Sequence, residues 1–148
     1  MLPRANGKTF LKIVGILILA LSILALSLNL ANFILMMLFY LNDVDLGPEF
    51  VPVLLYTVFD MGVQIFGIIC GIIAILKCGS LEDKDLILCK KLSIYMIVFF
   101  IISCIGGLVF NFSLIYLYYP VLPVLFMLGV NANQRGKEIA EEIESDKI

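Results

Sequence analysis

Histidine and tryptophan are both absent from this chain. Without histidine it lacks the side chain that titrates nearest neutral pH and the commonest transition-metal ligand. No Cys-x-x-Cys pair occurs, and no Gly-x-Ser-x-Gly elbow, His-Glu-x-x-His helix or phosphate-binding glycine loop. Charged residues make up only 15% of the sequence. These absences make an enzyme the least favoured class. No catalytic residue, cofactor, metal or nucleic-acid partner is expected.

What is present is apolar. The hydrophobic fraction is 62%, where soluble domains run near half. Ile13 to Leu41, Val51 to Leu76, Leu92 to Phe110 and Ser113 to Val130 each run about 18 residues or longer. Roughly 20 such residues cross a hydrocarbon core of about 30 Å. There the backbone must satisfy its own hydrogen bonds, so each stretch is expected to be a helix. The expected fold is an all-α integral membrane protein, a four-transmembrane-helix antiparallel bundle in one domain spanning residues 1–148.

All ten Lys and Arg residues fall on one side of these stretches. Arg4, Lys8 and Lys12 precede the first, Lys77, Lys84, Lys90 and Lys91 lie between the second and third, and Arg135, Lys137 and Lys147 follow the fourth. The first outer loop instead carries Asp43, Asp45 and Glu49. The positive-inside rule then puts both termini in the cytoplasm. The short loops and Ile/Leu-heavy composition point to a prokaryotic plasma membrane. The first span has a basic lead and small residues at Ala20, Ser22 and Ala25, but its apolar run exceeds that of a signal peptide, so it is read as uncleaved. Cys78 and Cys89 are then in reducing cytoplasm and Cys70 and Cys104 within spans, so no structural disulfide is expected.

Gly47-Pro48 and Pro52 mark the entry to the second span. Ser80 followed by Glu82 and Asp83 reads as a helix N-cap with acids in the first turn, so the third helix is expected to begin near Leu81. Pro120 and Pro123 must delay or kink the fourth helix. Residues 131–148 read as an acidic cytoplasmic tail, in which Lys137 to Lys147 form a short acidic helix that frays in water. The outer Asp43-x-Asp45 with Glu49 lacks a full EF-hand pattern and is assigned no metal.

The most specific pattern is a seam of small and polar residues. Gly15, Ile18, Ser22, Ala25, Asn29, Asn32 and Met36 follow alternating steps of three and four, as do Val53, Thr57, Asp60, Gln64, Gly67, Gly71 and Ala74. Such a stripe stays on one face of packed helices. The third span repeats it with Ser93, Met96, Phe100, Ser103 and Gly107, and the fourth with Ser113, Tyr116, Pro120, Pro123 and Met127. In lipid, small residues permit close backbone approach and polar ones hydrogen-bond across helices. Gly15, Ser22, Ala25, Gly67 and Gly71 are the expected packing positions. Counting from Lys12 and Lys77 sets Asn29 level with Asp60, Ala25 by Gln64 and Ser22 by Gly67.

This register creates a polar layer in the outer half of the membrane, made of Asn29, Asn32, Thr57, Asp60 and Gln64. Asn111, Ser113 and Tyr116 follow nearer the surface. Asp60 is the one ionisable Asp, Glu, Lys or Arg well inside a span, and such residues usually face the protein interior. With no intramembrane Lys or Arg to pair with it, it is expected to be protonated or to hold a cation. It serves either as polar glue, bonded to Asn29 or Gln64, or as a proton or cation site.

Three functions fit. The leading one is assembly, as a homo-oligomer or as an accessory subunit of a membrane complex. The others are an oligomeric proton or cation channel or transporter using Asp60, and a lipid or amphiphile binder beneath Tyr116, Tyr118 and Tyr119. Four spans alone identify no family. Small multidrug transporters carry a first-span glutamate where this chain has Asn29 and Asn32. Tetraspanins carry a Cys-Cys-Gly outer motif and claudins a tryptophan-rich one, and neither is present.

Overall fold

Helices account for nearly all of the computed structural model, which describes residues 7–42, 47–80, 82–111 and 120–145, without the side chains of Asn111, Ala140 and Glu144. Four occur among the described residues: α1 (Lys8–Leu41), α2 (Phe50–Lys77), α3 (Asp83–Asn111) and α4 (Val121–Ser145). Three of them, α1, α2 and α3, are long and apolar enough to cross a membrane. No strand occurs among the described residues. The apolar part of α4 seen here, Val121 to Val130, follows residues 112–119, which lie outside the described set.

Local chemistry explains the helix ends. At the close of α1 the Leu38 carbonyl accepts both the Asn42 side chain at 2.7 Å and the Asn42 backbone amide at 3.2 Å, so one residue closes the last turn twice over. Gly47 then takes φ +68°, a left-handed conformation that glycine adopts at little cost. Pro52 and Pro123 sit in the first turns of α2 and α4, where a missing N–H removes a bond the helix would not have made. Ser80 accepts the Glu82 amide through its hydroxyl at 3.3 Å, and α3 starts at Asp83 with Asp83 and Asp85 in its first turn. Tyr40 and Phe50 stack at 5.4 Å and join the end of α1 to the start of α2.

Neighbouring helices form a ring, α1 on α2, α2 on α3, α3 on α4 and α4 on α1, with α1–α2 the most extensive contact. The core between them holds Leu11, Val14, Ile18, Cys70, Met96, Phe100, Phe126 and Val130. Large apolar side chains also cover the outward faces of α1, α2 and α3, the arrangement a lipid solvent permits.

One end of the bundle is tied by Asn133, a residue only 1% exposed. Its Oδ1 accepts the Gly7 amide at 2.9 Å and its Nδ2 donates to the Cys78 carbonyl at 2.9 Å. The start of α1, the end of α2 and the middle of α4 therefore meet at one level. Lys77 pairs there with Asp85 at 3.0 Å, and Lys137 bonds to Asp83. The Ser80 hydroxyl and then the Lys77 ammonium hold the Asp85 carboxyl below its usual range. Lys77 is raised by its bond to Asp85, and Lys137 chiefly by its bond to Asp83. All three ionisable groups lie outside the apolar stretches.

The expected tail differs from this picture. Residues 131–145 continue α4 without a break, because Asn133 finds buried partners and Lys137 reaches the first turn of α3. The segment is the second half of a helix docked on the bundle, not a separate element.

Candidate functional site

Two helices can approach as closely as α1 and α2 do only where side chains are small. A Cβ on Gly67 would lie 2.4 Å from Ser22 Oγ, and one on Gly71 would lie 2.9 Å from the Leu19 backbone nitrogen. One on Gly15 would lie 2.9 Å from the Ala74 Cβ. Gly15, Ser22, Ala25, Gly67 and Gly71 are all buried. In α3, Ser93, Met96, Phe100, Ser103 and Gly107 are buried as well. In α4 the buried face is instead Leu122, Pro123, Phe126, Val130 and Asn133, with Pro120 and Met127 half-buried at its edge. Ser113 and Tyr116 lie outside the described residues.

The α1–α2 seam delivers Asp60 to the interior, where it is 0% exposed. Its Oδ2 accepts from Asn29 Nδ2 of α1 at 2.6 Å. Its Oδ1 accepts from Gln64 Nε2, one turn along α2, at 3.3 Å, and from the Ser103 hydroxyl of α3. One carboxyl thus joins α1, α2 and α3. Among the described residues it forms no ion pair, and no buried side-chain polar atom is left without a partner. An ionised carboxylate only accepts and is suited by three donors. A protonated one must also donate, and a serine hydroxyl or a rotated amide can receive that bond.

Thr57 and Asn32 stand apart from this network. Thr57 is buried, but its hydroxyl bonds the Val53 carbonyl of its own helix at 2.8 Å. Asn32 is exposed. Its side chain makes no hydrogen bond among the described residues. Glu49 is exposed at the entry to α2. Asp43, Asp45, Tyr118 and Tyr119 lie outside the described residues, as does the side chain of Asn111. No group of three or more potential metal ligands of the His, Cys, Asp and Glu kind occurs among the described residues.

Ser103 is the partner of Asp60 that the sequence reading leaves out, although it belongs to the α3 seam. The signal was its level. Ser103 lies 18 residues after Asp85 and Asp60 lies 17 before Lys77, and Lys77 and Asp85 form an ion pair. Counting from Lys90 and Lys91 hides this match, because α3 starts well before them. Tyr56 closes the same layer by donating to the Ser103 carbonyl at 3.0 Å. Comparison with protein-family models, with curated proteins and with solved structures finds no match to this chain.

Proposed function

We propose that the chain crosses the plasma membrane four times with both termini in the cytoplasm. On this reading it acts without catalysis, by assembly, as a homo-oligomer or as an accessory to a membrane complex. The meeting of Gly7, Cys78 and Asn133 at one end of the bundle supports the topology, as does the one-sided distribution of basic residues. The observation that carries the assembly reading is Asn32. It is exposed and its side chain has no hydrogen bond among the described residues, while the apolar run Phe33 to Leu41 lies between it and the outer loop. A primary amide facing hydrocarbon is satisfied by another helix, and such bonds are worth about 0.6 kcal/mol on average and up to about 2. A second copy offering its own Asn32 across a two-fold axis satisfies both amides at once.

Cysteine crosslinking in native membranes tests this contact, since all four native cysteines are buried and free. Asn32→Cys is expected to form a covalent dimer on mild oxidation, while Leu24→Cys, also at an exposed position, is not. Absence of any crosslinked species from Asn32→Cys would remove the contact.

A second reading, translocation of protons or cations through Asp60, draws on the burial of a carboxylate with no basic partner among the described residues. Proteoliposome flux in wild type and Asp60→Asn tests it. Equal flux, or none in either, removes it.

A further inference from the structure

Several charged side chains at the tied end of the bundle have partners: Lys77 pairs with Asp85, and Lys137 with Asp83 and Glu141. Lys90 and Glu138 differ. Both are exposed, and neither forms an ion pair among the described residues. Glu138 accepts the Gln134 side-chain amide at 3.3 Å through one of its two oxygens. Yet both line a single cleft of about 290 Å³ between the start of α3 and the far half of α4, together with Asp83, Lys137 and Glu141. A cation and a carboxylate thus face one space without meeting across it. Its volume is near the lower end for small-molecule sites, so the occupant is small or is one end of a larger molecule.

The order of these charges along the helices names the class. Lys90 stands at the foot of the apolar run that begins at Leu92, the depth at which lysine meets lipid headgroups. Lys137 bonds to Asp83, so the neighbouring Glu138 lies near the level of a residue seven positions before Lys90. At 1.5 Å per residue, that level is about 10 Å further from the hydrocarbon. A zwitterionic phospholipid carries its charges in the same order, with phosphate next to the acyl chains and amine beyond it. The lining favours a primary ammonium over a quaternary one. Carboxylates accept N–H bonds from the first, whereas the second is held by aromatic faces, and no aromatic side chain among the described residues lines the cleft. Three carboxylates beside two lysines also repel a headgroup of net negative charge. We infer that this cleft binds the headgroup of an ethanolamine-type phospholipid, its phosphate on Lys90 and its ammonium on Glu138 and Glu141. The inference goes beyond assembly and rests on the proposed crossing, which sets Lys90 at headgroup depth.

Native mass spectrometry of the full chain in mild detergent tests the site, with phosphatidylethanolamine, phosphatidylcholine or phosphatidylglycerol of the same acyl chains added in turn. The ethanolamine lipid is expected to saturate a single site per chain, with an affinity roughly two- to fivefold above the other two, the range that exposed charge pairs give. Lys90→Gln and Glu138→Gln should each remove most of that preference. Lys91→Gln, at an exposed position outside the cleft, should keep it. Glycerophosphoethanolamine, which has the headgroup without acyl chains, should not displace the lipid at equal concentration. Equal affinity for the three lipids, or tighter binding of phosphatidylglycerol, overturns the site. So does a preference that survives both Lys90→Gln and Glu138→Gln, and displacement by the free headgroup removes the lipid as its ligand. The oligomeric state is read from the same spectra, so failure of this site and failure of the assembly reading are told apart.

Discussion

Three glycines of α2 separate packing from helix propensity, since one faces open space and two face α1. Gly62 has nothing within 4 Å of where a Cβ would stand. There alanine contributes only its helix preference, a gain of up to about 1 kcal/mol. On Gly67 the same methyl meets Ser22 Oγ at 2.4 Å, Phe100 Cζ at 3.1 Å and Ser22 Cβ at 3.3 Å. The hydroxyl can rotate away, but the other two atoms must still give. On Gly71 the methyl meets backbone, the Leu19 nitrogen at 2.9 Å and the Gly15 oxygen at 3.0 Å, so the helices themselves must part. Overpacking a tight core costs about 1–3 kcal/mol. Set against the propensity gain, Gly67→Ala should lose about 1 kcal/mol and Gly71→Ala about 2. Ser22→Gly should relieve Gly67→Ala but not Gly71→Ala, with a coupling of about 0.5 kcal/mol or more in the first cycle only. Reversible unfolding of the full chain in mild detergent supplies the free energies. Equal effects at all three glycines, or coupling of Ser22 to both seam positions, would refute the α1–α2 register described above.

Asn133→Ala should destabilise by about 1–3 kcal/mol, because it orphans the Gly7 amide and the Cys78 carbonyl, and hydrogen exchange should show the first turn of α1 opening before the rest. Asp60→Asn should unfold near wild type, whereas Asp60→Leu should lose about 1–3 kcal/mol by stranding Asn29, Gln64 and Ser103; a Leu variant as stable as wild type would contradict the three-helix junction. The Asp85 carboxyl is held below its ordinary value, so the stability it contributes is complete above the unfolded value near about 4 and is lost as pH falls through the depressed folded one. A melting temperature that falls in that acid window for wild type, and less for Asp85→Asn, is the expected result; equal acid sensitivity in both would contradict the pair with Lys77.

Much of this organisation was legible in the chain because lipid enforces simple rules. Long apolar runs had to be helices, and the three-four spacing of Gly15, Ser22, Asn29 and of Asp60, Gly67, Gly71 marked the faces that meet. The level of Asn29 with Asp60 followed from rise per residue alone, since the lysines that open α1 and the one that closes α2 lie at the same end of the bundle. Asn32 kept that spacing, yet it lies exposed at the edge of the stripe, where a small rotation changes what a side chain meets. The reach of α4 was hidden for a different reason. Residues 131–136 contain two asparagines and a glycine, which favour breaks when read locally. Asn133 stays helical because backbone groups of α1 and α2 await it, a tertiary partner that no local pattern announces.

The assembly reading is tested most directly by native mass spectrometry of the full chain released from nanodiscs formed in its own membrane. The account predicts a defined homo-oligomer, or a fixed complex with another membrane protein, that dissociates in part when Asn32 is replaced by Leu. A strict monomer with no co-purifying partner would contradict it.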